Sequence, residues 1–203
     1  MERLAKMREM IKMIVVLTLL CTFSGGLLAA IRGGTKERIE YQQLKFVKGP
    51  AIKAILAGAS NDPIVDRFKV KDGKIERSFF VGIFDGKASS VAYESFGKGF
   101  GGDIGLMVAV NLDDDKIIGI GVTTHSETPG VGSRAKTDPA FAAQFKGLPV
   151  KDTFKVKTDG GQVDAVSGAT VTSRGVSIAV TEAGKIYTKL RPQIVEKLKG
   201  FTK

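Results

Sequence analysis

Between Lys12 and Arg32 the chain runs for 19 residues, 13–31, without a charged side chain. No other feature constrains the fold as strongly. At about 1.5 Å per residue, a helix of that length reaches roughly 28 Å, close to the hydrocarbon thickness of a bilayer, and it satisfies its backbone polar groups internally. Thr18, Cys21, Thr22 and Ser24 do not disturb this reading, because small polar side chains bond to carbonyls of their own helix. Gly25-Gly26 gives the helix a place to bend or to approach a neighbouring helix. A cleaved leader is the competing reading, but its apolar core is usually only about 7–15 residues long. The small residues near Leu28-Ala29-Ala30 make a poor cleavage site, and Leu19-Leu20 are too bulky for a lipoprotein site at Cys21. The stretch reads as an uncleaved, single-pass anchor.

Charge then orients the anchor. Arg3, Lys6, Arg8 and Lys12 precede it, and Arg32, Lys36 and Arg38 follow it. This is a narrow positive-inside bias, and short basic heads of single spans stay in the cytoplasm. The expected organisation is a cytoplasmic head at 1–12, a transmembrane helix at 13–31, a connector at 32–63, and an outer domain at 64–203. The formal net charge is +10, of which +2 lies in the first twelve residues. The basic residues are scattered and not interleaved with stacking aromatics, so lipid headgroups or an acidic partner suit this charge better than nucleic acid. The one cysteine, Cys21, lies in the span, so the outer domain has no disulfide and no thiolate metal site.

The outer domain reads as α+β, with strands first and helices later. Asp72-Gly73 and Asp85-Gly86 are hairpin signals, joining 68–70 to 75–83 and the latter to 90–96. Strands at 104–111 and 116–123 flank Asp113-Asp114-Asp115, which reads as a solvated turn because no oxygen-rich calcium loop follows. Asp138-Pro139 predicts a helix start and Gly147 its stop. Short strands are expected at 154–157 and 162–163, then a long helix that Pro192 breaks or kinks. Gly97-Lys98-Gly99-Phe100-Gly101-Gly102 fits G-x-G-x-x-G, yet it leads into a strand and not into the helix that a dinucleotide site needs. A tight exposed turn is the better reading.

Two segments carry chemistry. In Asp164-Ala165-Val166-Ser167-Gly168-Ala169-Thr170, the small Gly168 and Ala169 leave Thr170 open to close approach. The following residues open a helix, with Thr172 or Ser173 expected as its cap, and free N–H groups there favour a phosphate beside Thr170. From the residues alone, a capped helix behind a turn and a phosphate site both remain open. The string resembles the flavinylation motif D-x-x-[ST]-G-A-T of the FMN-binding subunits of two membrane complexes. They are the G subunit of the Rnf complex and the C subunit of the sodium-pumping NADH:quinone reductase. The resemblance implies that a dedicated transferase moves FMN from FAD onto the Thr170 hydroxyl as a phosphoester. Asp164, Ser167, Gly168, Ala169 and Thr170 would be the elements it recognises, and Ser167, Gly168 and Ala169 would also contact the bound FMN.

The second segment is His125-Ser126-Glu127-Thr128-Pro129-Gly130-Val131-Gly132, a compact loop after a strand that holds the only histidine. No second histidine offers a metal site, and no Ser-His-Asp context surrounds it. The loop resembles the H-x-E-T-P-G-[LV]-G segment of the same family, and that likeness implies contact of His125, Glu127, Thr128, Pro129, Gly130, Val131 and Gly132 with the flavin. Thr172 is expected there too, with backbone N–H groups of the 128–132 loop turned to the cofactor and Arg174 or Lys136 beside the phosphate. The short connector favours the Rnf-type subunit. The implied role is electron relay through covalent FMN, without a general acid or base, among other membrane and redox subunits. The implied location is the cytoplasmic membrane, with the main domain extracytoplasmic. The alternatives are the C subunit of the quinone reductase and a non-redox extracytoplasmic sensor or scaffold that binds flavin.

Overall fold

The computed structural model describes residues 2–201. Met1, Thr202 and Lys203, the outermost residues of the expected head and outer domain, lie outside the described residues. The chain divides into two compact units at Gln43/Leu44.

The first unit is one helix, α1 (Glu2–Gln42), which contains the whole uncharged stretch. The helix is unbroken through Gly25-Gly26. Among the described residues, only this N-terminal helical run is long and apolar enough to cross a membrane, judged by length and composition. Its apolar side chains, Leu17, Leu20, Phe23 and Leu28 among them, are exposed along its length.

A π-helical turn, Gln43–Lys48, spans the boundary, and the second unit continues with a short helix, α2 (Gly49–Ile55). An antiparallel meander follows: β1 (Arg67–Asp72), β2 (Ile75–Phe84), β3 (Lys87–Lys98), β4 (Asp103–Asn111) and β5 (Lys116–Thr124), ordered in space as in sequence. Asp85 and Gly86 both adopt positive φ, as a two-residue hairpin turn of matching twist requires. Two short helices, α3 (Arg134–Thr137) and α4 (Pro139–Ala143), come next. Asp138 caps α4 by accepting from the Ala140 N–H at 3.0 Å. The long helix α5 (Thr170–Leu198) closes the domain, which makes the fold α+β.

Alternation along the strands sends two sets of side chains to two faces. One face, with Phe79, Val81, Tyr93, Leu106 and Val108, packs under α5 through Val176, Ala183, Tyr187 and Leu190. The other face, with Phe80, Ala92, Met107 and Ala109, packs under Ile52 and Leu56. The approach of α5 to β3 is close enough that a Cβ on Gly97 would collide with the carbonyl of Gly175. Tyr93 Oη and Ser95 Oγ donate to the carbonyls of Ala183 and Ala179, at 2.9 and 2.8 Å, which fixes the helix along the strand.

Four expectations change. The latter part of the expected connector belongs to the domain, since Ile52 is fully buried against the sheet. The pieces 154–157 and 162–163 share a single parallel bridge, Val156 to Val163, and a 3-10 turn at Lys157–Asp159 replaces further pairing. Pro192 does not end α5, because Ile194 and Leu198 beyond it are buried in the core. Asp115 is not simply solvated: it accepts from Lys151 Nζ at 2.7 Å, Tyr187 Oη at 2.6 Å and Arg191 Nε at 3.0 Å.

Candidate functional site

The approach to α5 is built from short, specific bonds. The side-chain amide of Gln144 pairs with the backbone of Asp164 in both directions, accepting from its N–H at 2.7 Å and donating to its carbonyl at 3.1 Å. The Asp164 carboxylate accepts from Lys157 Nζ at 2.7 Å. Val166 is buried, and its N–H donates to Ser173 Oγ at 2.9 Å. A turn follows in which the Ala169 N–H donates to the Val166 carbonyl at 2.9 Å, with Gly168 at φ +77°. Only a residue free of a Cβ takes that backbone without strain. Ser167 and Gly168 are exposed on this turn, while Ala169 is buried.

The N-cap of α5 is Ala169, three to four residues earlier than the expected caps, and it makes no side-chain cap. Ser173 Oγ donates back to the Ala169 carbonyl at 3.0 Å, and Thr172 Oγ1 donates to Glu127, so both hydroxyls are engaged elsewhere. The N–H groups of Thr170, Val171 and Thr172 have no partner in the protein among the described residues. Thr170 occupies the first helical position, half-buried, and its hydroxyl has no hydrogen-bond partner among the described residues. Free N–H groups and the positive helix end suit an anion at this point.

The second loop lies against this turn. A Cβ on Gly168 would sit 3.8 Å from Val131 Cγ1, and one on Gly132 would sit 2.8 Å from Thr172 Oγ1. Thr128, Pro129, Gly130 and Val131 are exposed, His125 is half-buried, and Glu127 and Gly132 are buried. The Gly130 N–H donates to Ser133 Oγ at 2.8 Å and the Val131 N–H to the Thr128 carbonyl at 3.3 Å. Those two donors are therefore spent inside the loop, contrary to expectation, whereas the Thr128 and Gly132 N–H groups have no partner among the described residues. His125 Nδ1 accepts from the Glu127 N–H at 3.3 Å.

Glu127 is 5% exposed and accepts from Thr172 Oγ1 and from the Gly101 N–H, the latter at 2.8 Å. Burial raises its pKa, but the Thr172 hydroxyl, the N–H groups of Gly101 and Phe100 and the nearby His125 outweigh it and hold the carboxyl below its ordinary value. Arg174, expected beside a phosphate, instead forms a bidentate pair with Asp159 at 2.6 and 2.7 Å. That pairing holds the Asp159 carboxyl below its ordinary value. Lys136 Nζ donates to the Thr123 carbonyl at 3.3 Å.

The structure thus brings together Gly168, Thr170, Thr172, Glu127, Val131 and Gly132, whereas Asp164 and Ser167 border a cleft of about 370 Å³ against α4. Sequence reasoning missed Gln144, whose distance of 20 residues from Asp164 follows no local pattern. Phe100, 76% exposed, stands on the glycine-rich turn.

Comparison with known proteins bears on the same region. Residues 99–185 match the FMN-binding domain family, from the glycine-rich turn through both loops into α5. The G subunit of the ion-translocating oxidoreductase complex of Methanosarcina acetivorans is 35% identical over 87% of this chain and 93% of that protein. The chain belongs to the family of Rnf-type G subunits. Other relatives in this family are the G subunits of the proton-translocating ferredoxin:NAD(+) oxidoreductase complex of Clostridium ljungdahlii and of the ion-translocating oxidoreductase complex of Pseudomonas aeruginosa. Each is 30% identical, covering 82% and 94% of this chain and 85% and 94% of the relative, respectively. Solved structures of the C subunit of the sodium-translocating NADH-quinone reductase resemble parts of this Rnf-type chain. The Parabacteroides distasonis protein has a TM-score of 0.47 at 30% identity, over 56% of this chain and 62% of that one. The Shewanella oneidensis protein has 0.45 at 34%, over 61% of this chain and 64% of that one. This chain spans less than two thirds of either structure.

Proposed function

We propose that this protein is the membrane-anchored flavoprotein subunit of an Rnf-type ion-translocating complex, relaying electrons through an FMN joined to Thr170 by a phosphoester. The observation that carries the reading is the sorting of hydroxyls at the start of α5. Thr172 and Ser173 are engaged, while the Thr170 hydroxyl is free beside three N–H groups that have no protein partner among the described residues. A phosphoester there retains a negative charge, which the helix end offsets.

FMN, when bound, supplies the one- and two-electron redox chemistry, and the protein fixes its position and environment. The 128–132 loop supplies one wall of the site, with the exposed Val131 methyls next to the Gly168 turn. Thr128 and Gly132 offer the loop's remaining N–H groups. No side chain is required as a general acid or base for electron relay alone. Covalent attachment suits an extracytoplasmic domain, where a dissociated cofactor is lost by dilution. The anchor, 13–31, faces lipid, and the redox partners are neighbouring membrane subunits. A flavin transferase acts during maturation.

The test is co-production with the transferase, followed by ultraviolet-excited fluorescence on a denaturing gel. The wild type is expected to fluoresce, and Thr170→Val to lose the signal while still assembling. Mass measurement of the peptide carrying residues 158–174 should give a gain of FMN less water at Thr170. Absence of that gain in the wild type rejects the reading.

A further inference from the structure

The glycine-rich turn, Gly97 to Gly102, opens no helix for a dinucleotide, and its geometry shows what it encloses instead. The Gly101 N–H donates to Glu127 Oε1 at 2.8 Å, and the Phe100 N–H is directed at the same carboxylate. The Gly99 N–H closes the turn on the Gly102 carbonyl at 2.8 Å. A Cβ on Gly99 would collide with Glu127 Oε1, and one on Gly101 with the carbonyl of Ser126. A Cβ on Gly132 would fall 2.9 Å from Glu127 Oε2 and 2.8 Å from Thr172 Oγ1. Gly99 and Gly132 are therefore required by one buried carboxylate, and Gly101 by the backbone that carries it. Successive backbone N–H groups form an anion nest, and the anion it holds is internal.

Burying a carboxylate without a cation is costly unless hydrogen bonds replace its water. No lysine or arginine among the described residues pairs with Glu127; the donors are the nest and the Thr172 hydroxyl. Thr172 is the third residue of α5, in the same turn as Thr170. The carboxylate consequently links the nest, its own loop and the acceptor turn, which lie far apart in sequence.

We propose that Glu127 and Thr172 form a positioning pair that sets the first turn of α5, and with it the Thr170 hydroxyl, in register with the 128–132 loop. This rests on the reading of Thr170 as the flavin acceptor. Glu127 and Thr172 act through Thr170 and not on the flavin, since their polar atoms are turned to each other inside the protein. The chemistry of transfer is unchanged by the pair: the Thr170 oxygen bonds to the FMN phosphorus, the bond to the AMP half of FAD breaks, and the hydroxyl proton leaves to solvent.

Thr172→Val removes the donor and keeps the shape, Thr172→Ser keeps the donor, and Gly132→Ala drives a Cβ into the pair by a separate route. Two readouts follow in the full-length protein. In the unloaded chain, hydrogen exchange at the Gly101 amide should accelerate about tenfold or more in Thr172→Val and Gly132→Ala. Measured on folded protein, the rate of covalent loading by the transferase from FAD should fall about tenfold or more, through kcat. Thr172→Ser should match the wild type in both. Loading that falls only in proportion to folded protein, or a Thr172→Val chain equal to the wild type, overturns the proposal. A wild type that accepts no flavin sinks the Thr170 reading instead, and the Gly101 exchange then decides the positioning pair by itself.

Discussion

At the scale of single residues, the domain depends on carboxylates whose partners lie far away in sequence. Asp115 sits at positive φ in the β4–β5 turn and gathers Lys151, Tyr187 and Arg191. Partial burial raises its pKa, but those three donors prevail and hold it at about 2, while burial and the bond to Asp115 push Tyr187 up to about 12. The sign is that of a depressed acid. The stabilisation is complete above the ordinary value near 4 and is lost as pH falls toward 2. Asp115→Asn tolerates the same backbone and removes the charge, and should cost about 1–3 kcal/mol at neutral pH. Urea midpoints at pH 7 and pH 2.5 check this, and the gap between wild type and variant should narrow at the lower pH. The example shows what was legible. Asp115 was visible as a turn residue, since turn chemistry is local. Its bonds to residues 36, 72 and 76 positions away were not. Thr170 differs, because its proposed role comes from the motif, and the structure adds only that its neighbours Thr172 and Ser173 are engaged.

At the scale of elements, the hairpins were read correctly because two-residue turns announce themselves, as at Asp85-Gly86. The start of α5 was displaced because hydroxyl residues that look like caps are captured by Glu127 and by the preceding turn. Pro192 does not break the helix, because Ile194 and Leu198 beyond it are buried, and tertiary packing supplies most helix stability. The contact between α5 and β3 was not legible at all. Gly97 and Gly175 look like ordinary glycines, yet a Cβ on Gly97 would also come within 2.9 Å of the Ala179 backbone nitrogen. Backbone atoms cannot yield as a side-chain tip can. Gly97→Ala should therefore lower stability by about 1–3 kcal/mol through overpacking. Gly86→Asn is its control, since a Cβ there meets no atom within 4 Å and asparagine tolerates the positive φ. Thermal melts of the two variants should separate clearly, and equal Tm values would count against the close approach.

At the scale of the whole molecule, hydropathy and the structure divide the chain at different places. Hydropathy ends the anchor at Ile31 and suggests a connector to 63, because residues 32–63 carry no strand signal and no long apolar run. The second compact unit nevertheless begins at Leu44. The reason is that α2 is short and only one of its faces is apolar, yet Ile52 and the following Leu56 cover the sheet face formed by Phe80, Ala92 and Met107. Fully burying two such side chains contributes about 3–6 kcal/mol, a large share of the stability of a domain this size. A chain starting at 44 should then be soluble and monodisperse, with a cooperative melt. One starting at 64 lacks the cover and should expose an apolar face, lowering Tm by roughly ten degrees or more, or aggregating outright. Both truncations keep Thr170, Glu127 and the 128–132 loop. Loss of covalent loading in the shorter chain, with loading preserved in the longer, would locate the start of the functional domain at the π-helical turn. Equal stability of the two would remove α2 from the core.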